Sequence, residues 1–437
     1  MKARLCVLGL GYVGLPTAVV FASKGFSVVG VDVDERKVDL VNKGISYLHE
    51  QHLNEMLRDA VSRGTLKATT DAVSAVRNSE AVIIAVNTPV RGDVVDLSQL
   101  ESALEYVRRA LRVGSLVAIE STVPPGTTAG LVKRTLEESG LRAEEDFYLA
   151  YVPERVAPGR AIEELLTVPR VVGGVGPKST QKAIELYSNV NQRLYATDAT
   201  TAEFVKLIEN SFRDLNIAFA NLLALISERL GVDVYEAIKL ANTHPRVNVH
   251  KPGPGVGGPC LTKDPYMLFK TGKGVFGSDI ILLARRINDY MPLHTIKIIK
   301  TALRENGISI KGARIAILGA AYKGGVGDTR ESPSGIVVRE LLNAGADVIV
   351  YDPYTSESFG AKRVSSLEEA FKETDAVVVV TDHPEFKQVD LSGVGKLMRH
   401  KIIVDGRRVF DPYVAHGEGF KYYGIGFGKR LTFNDNS

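Results

Sequence analysis

The sequence predicts an α/β protein in which two doubly wound domains are joined by one long central helix. Three observations predict it. Short apolar runs alternate with helical stretches from Arg4 to Tyr195, the same alternation restarts at Arg314, and residues 198–231 between them read as one uninterrupted amphipathic helix. A chain of 437 residues is too long for one ordinary core, and its 45% hydrophobic, 24% charged composition is that of a globular protein. The net charge of +3 and the lack of any Lys/Arg run argue against nucleic acid or a membrane surface as the main partner. The two cysteines, Cys6 and Cys260, are far apart. They supply neither a disulfide framework nor metal-ligand spacing, so no metal is expected and a reducing, cytoplasmic setting is. Residues 5–22 carry no charge and follow Lys2 and Arg4 in the manner of a signal peptide, but Gly9, Gly11, Gly14 and Pro16 interrupt the apolar helix such a signal needs.

Residues 4–8 suit a buried parallel strand. Gly9-Leu10-Gly11-Tyr12-Val13-Gly14 follows, then a helical stretch over 15–24 closed by Gly25, then a second strand over 26–31 that ends at Asp32. This is a dinucleotide-binding turn in the strand–turn–helix–strand context it requires, and so a Rossmann-like domain. Gly9 permits the tight turn, Gly11 lets the backbone touch a pyrophosphate, and Gly14 lets the helix pack closely. The helix N-terminus then faces the phosphates. Asp32 is placed to accept from the adenosine ribose hydroxyls and would repel a 2′-phosphate, which favours NAD over NADP. Strands at 81–86, 116–119 and 147–152 run into Thr88, Thr122 and Glu154. Ligands bind beyond the carboxyl ends of such strands. Each of the three residues alone reads equally as a cap or turn residue; together they read as one rim of a nicotinamide site. Runs at 171–174 and 193–195 complete the domain.

In the central helix Thr200 and Glu203 have the spacing of a capping box, and Gly231 is placed to end it. Lys206, Asn210 and Arg213 share one face, and Glu209 and Arg213 are spaced to pair. An ammonium and an amide suit a developing oxyanion. The apolar stripe through Phe204, Leu207, Ile208, Phe212, Leu215 and Phe219 fits a dimer interface, and equally a helix buried within the chain. Residues 244–264 then hold four glycines and four prolines, which makes a shaped loop rather than a helix or strand. Cys260 lies near its end, followed by Lys263 and Asp264. A thiol beside an ammonium ionises more readily, and the thiolate is the nucleophile.

From Arg314 the pattern repeats: a strand at 315–318, a helix at 332–343, a strand at 348–351 ending at Asp352, and further strands at 376–380 and 402–404. The turn after the first of these lacks G-x-G-x-x-G. A phosphate-bearing ligand other than a second NAD is expected there. Lys323, Arg330, Arg407 and Arg408 lie near its loops, as a nucleotide diphosphate requires, although each alone also reads as a solvated charge.

These segments resemble the UDP-glucose/GDP-mannose dehydrogenase family over nearly the whole chain. The marks are GLGYVGLP at 9–16, STVPPGTT at 121–128, VKLIEN at 205–210, PGPGVGGPCLTKD at 252–264 and GDTRESPS at 327–334. Within the family, PERVAPG at 153–159 and HPRVN at 244–248 are most similar to the branch acting on UDP-N-acetylmannosamine. Pro158 stands where the glucose branch has a second Glu. Pro259 and Lys263 depart from the N-acetylmannosamine pattern. The resemblance implies NAD-dependent, four-electron oxidation of the C6 alcohol of a UDP-N-acetylhexosamine, with UDP-N-acetylglucosamine and UDP-glucose as alternatives. It implies Cys260 as nucleophile, Lys206 and Asn210 as oxyanion donors, and Asp264, Glu154 and Thr122 as proton-transfer and water-positioning groups. Gly9, Gly11, Tyr12, Val13, Gly14, Asp32, Lys37, Thr88, Thr122, Lys263 and Arg330 are the implied NAD contacts. Glu154, Arg155, Val156, Lys206, Asn210, Arg246, His250, Gly257, Tyr322, Lys323 and Arg407 are the implied UDP-sugar contacts, Arg246 reaching across a homodimer or higher homo-oligomer. The domains implied are 1–197 for NAD, 198–305 for the central helical part, and 306–437 for the UDP-sugar. A one-step NAD dehydrogenase would have no use for Cys260, nor would a catalytically silent nucleotide-sugar sensor.

Overall fold

A computed structural model describes residues 3–48, 50–91 and 94–429; Lys2 lies outside them. The chain divides into two units, Met1–Glu209 with Tyr266–Lys273, and Asn210–Pro265 with Gly274–Ser437. The first unit is built on strands β1 (Arg4–Leu8), β2 (Ser27–Val31), β3 (Leu66–Thr69), β4 (Ala81–Ile84), β5 (Leu116–Ile119), β6 (Tyr148–Tyr151), β7 (Arg170–Gly174) and β8 (Leu194–Asp198). They lie in the order β3-β2-β1-β4-β5-β6-β7-β8, parallel except where β6 meets β7. The order reverses between β1 and β4, and that switch point is where a doubly wound sheet leaves a crevice for a ligand. β4 and β5 are buried on both faces, which explains their unbroken apolar runs. Helix α1 (Gly14–Ser23) is almost wholly buried against the sheet.

Helix α2 (Ala199–Leu230) begins in the first unit and continues into the second. The capping box expected at its start does not form. Asp198 caps the helix instead, accepting from the Thr201 N–H at 2.9 Å and its hydroxyl at 2.6 Å. That places Glu203 too far into the helix to reach back. Its buried carboxylate accepts instead from the N–H groups of Gly126 (2.5 Å) and Thr128 (2.7 Å), in the loop after β5. The expected Glu209–Arg213 pair is also replaced. Glu209 binds Arg155, and Arg213 donates to Asn210 Oδ1 at 2.9 Å. The expected stripe divides: Leu207 is buried with Ala202, Ala220 and Ala224, Leu215 is half-buried, and the remaining residues of the stripe are exposed. Phe204, Ile208, Phe212, Phe219, Ile226 and Leu230 are exposed, while Lys206, Asn210, Asp214 and Asn221 are buried. Among the described residues none covers this exposed part of the stripe.

The second unit also holds helices α3 (Asp264–Thr271, of which only Asp264 and Pro265 belong to it), α4 (Asp279–Glu305) and α5 (Pro333–Asn343). Its sheet comprises β9 (Arg314–Leu318), β10 (Asp347–Tyr351), β11 (Lys362–Arg363), β12 (Ala376–Val379), β13 (Ile402–Asp405) and β14 (Lys421–Gly424). These run fully parallel in the order β11-β10-β9-β12-β13-β14, so the same topology occurs twice. Among the described residues no helix is long and apolar enough to cross a membrane.

Candidate active site

At the switch point of the first sheet, Gly9 adopts φ +92°, and a Cβ there would meet the Ala85 carbonyl oxygen at 2.6 Å. A Cβ on Gly14 would strike the Gly9 carbonyl at 1.8 Å, so this glycine is fixed by the turn itself. Above Gly11 nothing lies within 4 Å. That open backbone, with Tyr12 and Val13 beside it at the start of α1, fits a pyrophosphate. Asp32, at the end of β2, accepts from Leu10 N (3.0 Å), Asp34 N (3.0 Å) and Lys37 Nζ (3.3 Å). The loop turn and the strand-end acid are therefore already bound to each other. Lys37 reaches the group expected to read a ribose.

Along the same rim, the buried Thr88 hydroxyl donates to the Thr122 carbonyl at 2.6 Å, joining the loops after β4 and β5. Glu154, beyond β6, is buried. One carboxylate oxygen accepts from Lys206 Nζ at 2.8 Å, the other from Val156 N at 2.9 Å, and Lys206 also donates to the Glu154 carbonyl at 2.7 Å. Burial pushes the carboxyl up, but the Lys206 ammonium, the Val156 N–H and the Arg170 charge outweigh it and hold Glu154 below the usual carboxylate range. Arg155 turns its guanidinium to the Pro169 carbonyl (2.7 Å) and to Glu209.

In the second unit the Cys260 carbonyl accepts from Lys263 N (3.0 Å) and Asp264 N (2.9 Å), so residues 260–264 form one turn leading into α3. The Asp264 side chain is fully buried between Asn210 Nδ2 (2.6 Å) and Lys263 Nζ (2.7 Å). The Lys263 ammonium is thus bound by a carboxylate, which the sequence alone does not reveal. Cys260 is half-buried. Ahead of it, a Cβ on Gly257 would fall 2.7 Å from Tyr322 Cβ, and one on Gly258 2.9 Å from the Tyr322 ring. Glycine there lets Tyr322 lie directly on the loop. Gly258 N also donates to the Arg330 carbonyl at 3.0 Å, and the Arg330 side chain is held by Asp328 at 2.6 Å. His250 N is held by Asn216 Oδ1 at 2.8 Å; burial, then Arg213, push its ring below the usual imidazole range. Arg246 and Lys323 are exposed. Arg407 donates from Nε to the Val380 carbonyl (3.0 Å), and Gly253 gives its guanidinium room, since a Cβ there would lie 2.6 Å from Nη1. Arg408 is not available to a nucleotide as its position implied. It forms a two-pronged pair with Asp233 (2.7 and 2.7 Å) between the rings of Tyr235 and Phe427.

The NAD binding domain profile of the UDP-glucose/GDP-mannose dehydrogenase family matches residues 3–191, the central domain profile residues 200–290, and the UDP binding domain profile residues 316–412. The chain belongs to the UDP-glucose/GDP-mannose dehydrogenase family. A UDP-N-acetyl-D-mannosamine dehydrogenase of Pyrococcus horikoshii is 48% identical over 427 residues, covering 97% of this chain and 99% of the relative. A solved structure of UDP-D-ManNAc dehydrogenase from Pyrococcus horikoshii is similar with a TM-score of 0.91 at 47% identity, covering 97% of this chain and 99% of that one. A UDP-glucose dehydrogenase structure from Pyrobaculum islandicum gives a TM-score of 0.88 at 32% identity, with 98% of each chain covered. This member of the family is an NAD-dependent nucleotide-sugar dehydrogenase, an oxidoreductase.

Sequence reading missed several buried groups of this dehydrogenase. Glu120, just after β5, accepts from Arg170 (2.8 Å), Tyr187 (2.8 Å) and Thr17 (3.2 Å). Glu50 receives Gly159 N (2.8 Å) and Ala161 N (3.1 Å), and Glu164 receives Ala157 N (2.5 Å), so two carboxylates shape the segment after Glu154. Asp214 pairs with Arg285 at 2.6 Å behind the Cys260 loop. The available signal was the placement of charged residues within otherwise apolar stretches, which buried ionic groups require.

Proposed function

We propose that the chain oxidises UDP-N-acetyl-D-mannosamine to its uronic acid through a covalent intermediate on Cys260. The observation that carries the reading is the 260–264 turn, in which a thiol precedes a fully buried carboxylate held by Asn210 and Lys263. NAD, when bound, supplies the hydride acceptor, once for the alcohol and once for the thiohemiacetal. The Cys260 thiolate attacks the C6 aldehyde, because an aldehyde carbon does not readily release a hydride whereas the tetrahedral alkoxide does. The resulting thioester is hydrolysed by water. Lys206 and Asn210 stabilise the alkoxide. Asp264, Glu154 and Thr122 move protons and orient the water, and the depressed pKa keeps Glu154 an acceptor at neutral pH. One sugar and one water yield the uronate while two NAD are reduced.

Lys37, Thr88, Lys263 and Arg330 join the Gly9–Asp32 region in binding NAD, while Arg155, Val156, His250, Gly257, Tyr322, Lys323 and Arg407 serve the UDP-sugar. The choice of sugar is supported by Pro158 in the segment after Glu154 and by relatives named for UDP-N-acetyl-D-mannosamine at 38–48% identity. The exposed apolar stripe of α2 supports a homodimer, to which Arg246 is contributed across the interface. A panel of UDP-N-acetylmannosamine, UDP-N-acetylglucosamine and UDP-glucose with NAD, followed at the NADH absorbance, tests the sugar; UDP-glucose as best substrate overturns it. Cys260→Ser tests the route. It should accumulate a sugar ester at position 260, seen as a mass increase of the intact protein, whereas Cys260→Ala yielding two NADH per sugar at the parental rate overturns the thioester.

A further inference from the structure

We propose that Arg285, a residue of α4, is a positioning residue for the Cys260 thiol, acting through the backbone of the next residue. The inference rests on the reading of Cys260 as nucleophile. Residues 253–260 contain four glycines and two prolines, and so many glycines confer freedom that a nucleophile held to a fraction of an ångström does not tolerate. The structure removes that freedom from behind. Asn221 Oδ1 accepts from Gly253 N at 2.9 Å, fixing the start of the segment. Arg285 Nη1 donates to the Leu261 carbonyl at 3.3 Å, fixing the backbone one residue past Cys260.

The two anchors belong to one buried network. Asp214 Oδ1 binds Arg285 Nη1 at 2.6 Å and Asn288 Nδ2 at 2.7 Å, and Asn221 Nδ2 donates to Asn288 Oδ1 at 2.9 Å. Asp289, one turn further along α4, takes the other arm of Arg285. Arg285, Asp214, Asn288 and Asn221 are 2%, 1%, 1% and 0% exposed. An ion pair this deep is an expensive way to fill a core, since apolar residues of the same size usually serve stability as well or better. Arg285 offers what an apolar residue cannot: a forked donor that binds two carboxylates while directing a third bond to the loop. With Asn210 on Asp264, the network grips the segment on both sides of the thiol.

The test uses a variant that keeps the core filled but removes the network, Arg285→Met with Asp214→Leu, and in parallel the conservative Arg285→Lys. Native alkylation by iodoacetamide reads Cys260 alone, because Cys6 is fully buried and burial pushes its thiol up to about 12. Both variants are expected to lower kcat by about 10–100-fold, the scale of a small misplacement of a reacting group. KM for the UDP-sugar should change far less, and the Cys260 alkylation rate should shift across neutral to alkaline pH, with Arg285→Lys intermediate. Parental kcat together with a parental alkylation profile in either folded variant overturns the proposal. If the double variant does not fold, Arg285→Lys decides alone. Parental activity in Cys260→Ala would instead overturn the nucleophile assignment, an outcome independent of the Arg285 variants.

Discussion

Replacing Glu203 distinguishes a helix cap from a loop clamp. Its carboxylate accepts two short hydrogen bonds, from Gly126 N at 2.5 Å and Thr128 N at 2.7 Å, and the residue is fully buried. Glu203→Ala leaves buried Thr128 N without this acceptor, at about 1–3 kcal/mol, and half-buried Gly126 N at about 1 kcal/mol, for a total of about 2–4 kcal/mol. Glu203→Gln keeps one acceptor and should lose about half as much. Had Glu203 closed a capping box, its removal would cost only about 1 kcal/mol. Urea unfolding followed by tyrosine fluorescence measures the difference, the chain having no tryptophan. The 126–128 loop directly follows Thr122, so KM for NAD should rise in both variants. A loss under about 1 kcal/mol in Glu203→Ala with unchanged KM would refute the clamp.

Gly11→Ala and Gly14→Ala should separate binding from folding. The first has room for its methyl and should keep parental stability while weakening NAD binding, measured by titration; the second places a methyl 1.8 Å from the Gly9 carbonyl and should lower the melting temperature. Asp32→Ser should narrow the preference for NAD over NADP in kcat/KM, and comparable values for the two cofactors in the parent would remove the role given to Asp32. Glu154 has a folded pKa below its unfolded value of 4.5, so its stabilisation is complete above that value and fades as pH falls through the folded one. The melting-temperature gap between the parent and Glu154→Gln should therefore close on acidification, and a gap that widens would contradict the Lys206 pairing.

The inner strands of both sheets could be read from the sequence because a parallel strand buried on both faces has to be an unbroken apolar run, as in β4, β5 and β12, whereas the exposed or partly exposed edge strands β3, β11 and β14 lack that run and were missed. The glycine turn was legible for a related reason: a Cβ on Gly9 or Gly14 would strike neighbouring backbone, which restricts the residue type. What escaped detection was the partner of each polar side chain. Glu203 met the spacing rule for a cap, but Asp198 shifted the helix start. Glu209 had an arginine one turn away and chose Arg155 from the loop after β6. Arg285 looks in sequence like any charged helix residue, and only packing shows it to be among the most buried. Spacing reports which residues share a face; it does not report which distant segment arrives there.

The second strand of each sheet runs into an aspartate, and the two acids differ in how a ligand could reach them. A carboxylate offers about four acceptor sites. Asp32 has committed three, to Leu10, Asp34 and Lys37, one of them to a flexible lysine able to move aside. Asp352 accepts three bonds on Oδ2, from Ala320 N, Ala321 N and the ring of His383, and one on Oδ1 from Tyr354 N, and its side chain is completely shielded from solvent, so no ribose hydroxyl reaches it. Grafting G-x-G-x-x-G into the turn after β9 would therefore not create a second dinucleotide site. A designer would first have to evict His383, which at the same time receives Gly325 N at 3.1 Å and so shapes the neighbouring loop. Between two sheets of like strand order, access to the acceptor decides whether a strand-end acid can read a sugar.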